Sequence, residues 1–238
     1  MKVVMVEPNQ YARIAEMEDT LEAKQAAVGG LIACAYPWNE PVCIVCNDEG
    51  LINGMPYNRD VENYQEIAGP FFVCGFTEDD FCGLTDEQAE RYHTMFLRPE
   101  FFIELEAGLM WFPYDNPHLP DAPEETAQRF AQRGGMPDLC FCAFPPVNEI
   151  MIIHYGRLKC HAYPRSIRAS HAKELANQWN TLLGVTEEQH TAMLDSSIFG
   201  WDHPATEQTE PDCITEIKIE PFPVFKTVKR QNEMEGIS

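Results

Sequence analysis

Two histidines and a run of bases mark the second half of the chain, where Ile150 to Tyr155 and Leu158 to Tyr163 read as apolar strands. With Gly156-Arg157 as a two-residue hairpin turn, His154 falls opposite Lys159, Ile153 opposite Cys160 and Ile152 opposite His161. One face then carries Met151, Ile153, Cys160 and Ala162. The other carries His154, Lys159 and His161, with the two histidines on a diagonal within reach of one ligand. Arg157, Arg165, Arg168 and Lys173 lie close in sequence, so residues 157–173 hold five basic side chains and no acid. Such a patch suits a phosphate or nucleotide group, or an acidic partner segment, because Arg offers forked donors and His can take up a proton. The plainer reading is that these bases pair with the acidic first half and hold the two halves together.

Cysteine offers a second chemistry. Nine cysteines, an odd number, sit mostly in apolar strand-like runs such as Val-Cys-Ile-Val-Cys, and they read as buried thiols, not a disulfide framework. Cys43 and Cys46 have the CxxC spacing of redox and zinc sites, but side chains three apart on a strand point to opposite faces. There is no second CxxC, since Cys140 and Cys142 are two apart. Enzyme signatures are missing: no glycine-rich phosphate loop, no Gly-x-Ser-x-Gly and no His-Glu-x-x-His occurs. Cys160 and His161, adjacent on a strand, point apart and make a poor nucleophile and base. Asp79, Asp80, Glu104 and Glu106 belong to too large a set of carboxylates to single out an acid–base pair. The sequence therefore calls for no cofactor and no metal, and reads more readily as a binding protein than as an enzyme.

Charge sets the third candidate. The 238 residues hold 17 Lys and Arg against 38 Asp and Glu, a formal net charge of −21. A surface so acidic argues against direct DNA binding through the phosphates. The acidity is concentrated early, with 6 basic and 21 acidic side chains in residues 1–120. From Phe76 to Glu106 there are nine carboxylates against Arg91 and Arg98. Asp86, Glu87 and Glu90 lie on the first turns of a helix, where acids also suit the helix dipole. They can simply be solvated charges, or they can imitate the phosphates of nucleic acid for a host protein with a basic surface.

These groups are carried by short elements. Strands are expected near Lys2 to Glu7, Arg13 to Met17, Leu31 to Tyr36, Val42 to Cys46 and Pro70 to Phe76. A helix from Asp19 or Thr20, with Leu21 and Val28 a heptad apart, should stop at Gly29-Gly30. Another starts at Thr85, where Gln88 completes a capping box and Leu84 staples onto Ala89, and it ends at Arg98-Pro99. Four prolines between Pro113 and Pro123 mark a linker or irregular segment. Beyond it come a helix near Glu124 to Arg133, a strand at Leu139 to Phe144, and the hairpin already described. A helix capped by Ser170 then buries Leu175, Trp179, Leu182 and Leu183, and Thr186 with Gln189 repeats the capping box. Strands are expected near Ile214 to Glu220 and Val224 to Val228. The expected fold is α+β, two small sheet-and-helix units at 1–106 and 138–238 joined by the Pro-rich span 107–137. No apolar run reaches the roughly 18 residues of a membrane span and no secretory leader is apparent, so a cytoplasmic location is expected.

The stretch Cys-Asn-Asp-Glu-Gly-Leu-Ile-Asn-Gly-Met-Pro-Tyr-Asn-Arg, residues 46–59, carries a family resemblance. It is joined by the opening Val-Val-Met-Val-Glu-Pro, Gly29-Gly30, Ile67-Ala68-Gly69-Pro70-Phe71 and Leu84-Thr85-Asp86-Glu87-Gln88. Together they resemble the bacterial family called domain of unknown function 3846, over about the first 105 residues. The resemblance implies a phage or conjugative-element setting and no reaction. Within the motif, Asn47, Gly50 and Gly54 read as turn formers, and Asn58 and Arg59 as exposed polar groups following a proline. The sequence points to an accessory protein that binds a host macromolecule through an acidic surface, as an antirestriction or anti-defence factor. The alternative is a small-molecule binder or enzyme built on His154, Lys159, His161 and Arg165.

Overall fold

The computed structural model describes residues 1–62, 64–105, 108–143, 150–154, 158–162 and 169–192. In chain order, the first unit holds β1 (Lys2–Val6), β2 (Arg13–Glu16), α1 (Leu21–Val28), β3 (Ile32–Ala35), β4 (Val42–Asn47), β5 (Tyr57–Arg59), β6 (Ile67–Ala68), β7 (Phe71–Phe76), β8 (Phe81–Cys82) and α2 (Asp86–Phe96). The second holds β9 (Glu100–Leu105), β10 (Gly108–Pro113), α3 (Glu124–Gln132), β11 (Leu139–Ala143), β12 (Ile150–His154), β13 (Leu158–Ala162) and α4 (Ala169–Leu182). Sheets and helices alternate without a regular βαβ repeat, and the fold class is α+β as the sequence suggests.

The first sheet is antiparallel in the order β2-β1-β7-β4-β3, with β8 pairing β7. Its central strands β4 and β7 are apolar on both faces because a helix covers each side. On one face α2 buries Ala89, Tyr92 and Phe96 against Val4, Val6, Ile44, Phe71 and Val73. On the other, Val28 of α1 packs with Val3, Met5, Cys43, Val45 and Phe72. Leu21, expected on that buried stripe, is exposed; Lys24 lies inward in its place and pairs with Asp19. Both helices begin as the sequence dictates. Thr20 accepts from the Ala23 amide, and Thr85 with Gln88 makes both bonds of a capping box. Gly29 closes α1 at φ 73°, a conformation that side-chain-bearing residues rarely adopt.

The second core combines the β9–β10 hairpin, the sheet β11-β12-β13 and α4. Phe101, Ile103, Phe112 and Tyr114 meet Phe141, Ile150, Ile152, Ala172, Ala176 and Leu183. Leu182, expected on the buried side of α4, is exposed, and the alanines take that side. The Pro-rich span contains β10 and α3, fastened by a charge network. Arg98 reaches Asp115 and Asp138 at 3.1 and 2.9 Å, Arg129 reaches Asp115 at 3.0 Å, and Arg133 reaches Asp138 at 2.7 Å. The units also touch directly, through the Asn116 amide on the Tyr11 hydroxyl and through stacked Tyr57 and Phe102 rings. No helix among the described residues is long and apolar enough to cross a membrane. The strands expected at 214–220 and 224–228 lie outside the described residues.

Candidate functional site

The acids singled out on α2 are exposed: Asp86, Glu87 and Glu90 face water from its first turns. Asp86 is bonded to Lys2, and that ammonium holds its carboxyl below the ordinary range. Just before α2, the turn between β7 and β8 presents Glu78, Asp79 and Asp80, also exposed, with the Thr77 hydroxyl accepting from the Asp80 amide. Residues 1–97 contain five Lys and Arg against seventeen Asp and Glu, and each of the five cations is already engaged. Arg13 pairs with Glu7 at 2.6 Å, Lys24 with Asp19 at 2.5 Å, Arg91 with Glu40 at 2.5 Å and Lys2 with Asp86.

The fifth cation is Arg59, and here the structure corrects the sequence. Asn58 and Arg59 are not exposed; they are buried, Arg59 to 1%. The Arg59 guanidinium donates to the carbonyls of Phe96, Asn58 and Gln10 and to the Asn58 side chain. Asn58 in turn donates to the carbonyls of Val6 and Gly69. The pair clasps the β1–β2 connection, β5, β6 and the C-terminus of α2 by donating to their backbone carbonyls. Nearby, the Asp60 amide donates to Glu100 at 2.8 Å. Burial pushes the Glu100 carboxyl up to about 7, against the pull of that amide and of Arg59. Asn47 holds its turn as expected, accepting from the Glu49 amide and donating to the Val28 carbonyl.

The expected histidine row does not form in the observed register. Strand β12 pairs with β13 as His154 with Leu158, Ile153 with Lys159, Ile152 with Cys160 and Met151 with His161. Three residues, not two, separate the strands, and a slip of one exchanges the faces. His154 therefore alternates with Ile150 and Ile152, whereas Lys159 and His161 share positions with Ile153 and Met151. Arg157 and Arg165 lie outside the described residues, and Lys173 is exposed on α4.

Among the thiols, Cys43 and Cys46 do fall on opposite faces of the first sheet, in its two separate cores. Cys34, Cys43, Cys46, Cys74, Cys82, Cys140 and Cys142 are free thiols. Cys43 stands opposite Cys74 with the sulfurs 3.8 Å apart. The second unit holds an arrangement that CxxC spacing does not reveal. Alternation along β11 turns Leu139 and Phe141 into the core and places Cys140 and Cys142 together on the other face. Gly184 ends the turn after α4, Thr186 and Gln189 cap the helical residues 187–192, and His190 in that turn brings Nε2 to 3.2 Å from the Cys142 sulfur. The three ligand atoms of Cys140, Cys142 and His190 lie within 4.8 Å of one another. The Cys142 thiol is pushed below its usual range because the Cys140 thiol can hydrogen-bond its thiolate. Cys140 is pushed up by that same interaction and by burial. Beside His190 opens a cleft of about 490 Å³ whose lining includes Lys173, Asn177, Asn180 and Glu187.

The fold thus defines an α+β protein of two units, the first presenting acid outward and the second gathering a thiol–imidazole cluster. Residues 1–97 match the family described as Domain of unknown function (DUF3846). The match ends one residue after α2, so it covers the first sheet and both of its helices. No curated protein and no solved structure matches the chain.

Proposed function

We propose that the protein is a non-enzymatic accessory factor of a phage or conjugative element that binds a basic surface on a host protein through the carboxylates of its first unit. The observation that carries this reading is the commitment of every cation in residues 1–97 to an internal partner. The turn at Glu78, Asp79 and Asp80 and the first turns of α2 at Glu87 and Glu90 remain exposed. Such a surface has an uncompensated negative field, which steers and holds cationic partners. Duplex DNA presents one charge per ~1.7 Å, so the basic groove of a DNA-binding defence protein is the kind of partner that field suits.

The test is restriction of unmodified phage DNA in cells expressing the chain, paired with binding of the purified restriction enzyme. Plating efficiency should rise with expression, and binding should weaken steeply as salt shortens the screening length to about 8 Å and below. A variant carrying E78Q, D79N, D80N, E87Q and E90Q should lose both effects without a drop in melting temperature. Unchanged plating against a panel of restriction systems, or binding indifferent to salt, would sink the reading.

A further inference from the structure

We propose that Cys140, Cys142 and His190 form a zinc site, with two thiolates and one imidazole as ligands and a fourth position open toward the cleft. The proposal does not depend on the acidic surface of the first unit.

Geometry carries it. In tetrahedral coordination, with Zn–S near 2.3 Å and Zn–N near 2.0–2.1 Å, neighbouring ligand atoms stand roughly 3.5–3.8 Å apart. Three donor atoms within 4.8 Å of one another, two of them at 3.2 Å, reach that arrangement by side-chain shifts of about an ångström or less. A disulfide is the competing use of two thiols, and strand geometry opposes it. Residues two apart on one strand have Cα atoms about 6.8 Å apart, at the upper limit of the disulfide range.

The ligands are also held by structure formed for other reasons. Phe141, between the two cysteines, is pinned from both sides by Asn180, whose side chain accepts from its amide and donates to its carbonyl at 2.9 and 2.8 Å. The helical turn bearing His190 is fixed by its capping box and by Gln189, which donates to the Gly135 carbonyl at 2.7 Å. A metal ion would find its donors preplaced on a strand and on a capped turn, an arrangement that lowers the ordering cost of binding.

The donor set restricts the ion to the softer first-row metals, zinc among them. Thiolate and imidazole suit zinc and exclude magnesium and calcium, which take oxygen ligands. Cys140 and Cys142 are buried and His190 is half-buried, so the sulfurs are shielded while the imidazole borders the cleft. Access is from that side, and the open coordination position would take a water or a small anionic donor. Binding replaces thiol protons by the metal, so affinity should fall as the pH drops.

The experiment uses the full chain, reduced and freed of metal by a chelator. Zinc should bind at one equivalent, survive desalting and raise the melting temperature. Cobalt(II) in its place should give the strong visible bands of tetrahedral coordination, with thiolate charge transfer in the near ultraviolet. Losing a mere neighbour of a metal ligand weakens binding by about 10–100-fold, so Cys142→Ser and His190→Ala should each weaken it by at least that much. Cys34→Ser, in the first unit, should leave it unchanged, and His190→Cys, which keeps a zinc donor, should retain the cobalt spectrum. His190 is half-buried on a short turn, so His190→Ala reports on the metal even if the cysteine variants fail to fold. Binding that is absent, or equal in His190→Ala, would overturn the proposal.

Discussion

Arg59 is the largest fully buried side chain among the described residues, and its position explains why it must be an arginine. Its donors are spread over three carbonyls and one amide oxygen in different directions, a fork that a lysine ammonium cannot reproduce. Desolvation lowers its pKa to about 10, which leaves it charged at neutral pH. Arg59→Ala strands those acceptors and should cost about 2–4 kcal/mol in urea unfolding, with Arg59→Lys recovering only part. Glu100 makes a pH-dependent counterpart. Its folded-state pKa of about 7 lies above the ordinary 4.5, so folding favours the protonated form. Nothing is lost below pH 4.5; the penalty grows between 4.5 and 7 and is complete above that, at about 3 kcal/mol. Stability should therefore fall between pH 5 and pH 8, and Glu100→Gln, which keeps an acceptor for the Asp60 amide, should flatten the profile. None of this was legible from residue type. A polar pair after a proline reads as surface, and only the convergence of distant carbonyls makes it interior.

At the scale of elements, what depends on neighbours in sequence was readable and what depends on register was not. Both Thr-x-x-Gln boxes and the Gly29 stop are local, and they form as their residues dictate. In the β9–β10 hairpin, Glu100, Glu104 and Pro113 place charges and a breaker inside the strands and blur the strand signal. Yet Phe101 and Ile103 alternate inward with Glu104 outward, a period-two signal. The β12–β13 register turned on one loop residue, which spacing alone does not fix. The Cys-x-Cys of β11 lacks CxxC spacing, yet on a strand it is the spacing of two that puts sulfurs side by side. Close approach sets one further requirement. A Cβ at Gly50 would stand 2.6 Å from the Ala68 carbonyl oxygen, a backbone atom that cannot swing away. Gly50→Ala should cost about 1–3 kcal/mol by thermal unfolding through that clash, whereas at Gly54, where nothing lies within 4 Å, the cost of the same change comes from its φ of 65° alone.

The molecule as a whole carries a net charge of −21, and self-repulsion on that scale opposes the compact state. Added sodium chloride should therefore raise the melting temperature over the first few hundred millimolar, where the Debye length contracts from about 10 Å to a few ångströms. A flat response would mean that the acids are spread too thinly to repel. The charge asymmetry between the halves was plain from composition, whereas their manner of joining was not, because a Pro-rich span gives no sign of the arginines and aspartates that lace it. That lacing bears on how the chain divides. A fragment cut at residue 97 would keep the Phe96 carbonyl for Arg59 but leave Asp60 without Glu100, Tyr57 without its stacking ring and Tyr11 without Asn116. A fragment cut at 106 would recover the first two and instead carry Phe101 and Ile103 into solvent as a greasy, unmatched ribbon. Neither cut yields a clean module, so evolutionary shuffling of the first unit would have to bring along a substitute for the hairpin that seals its flank.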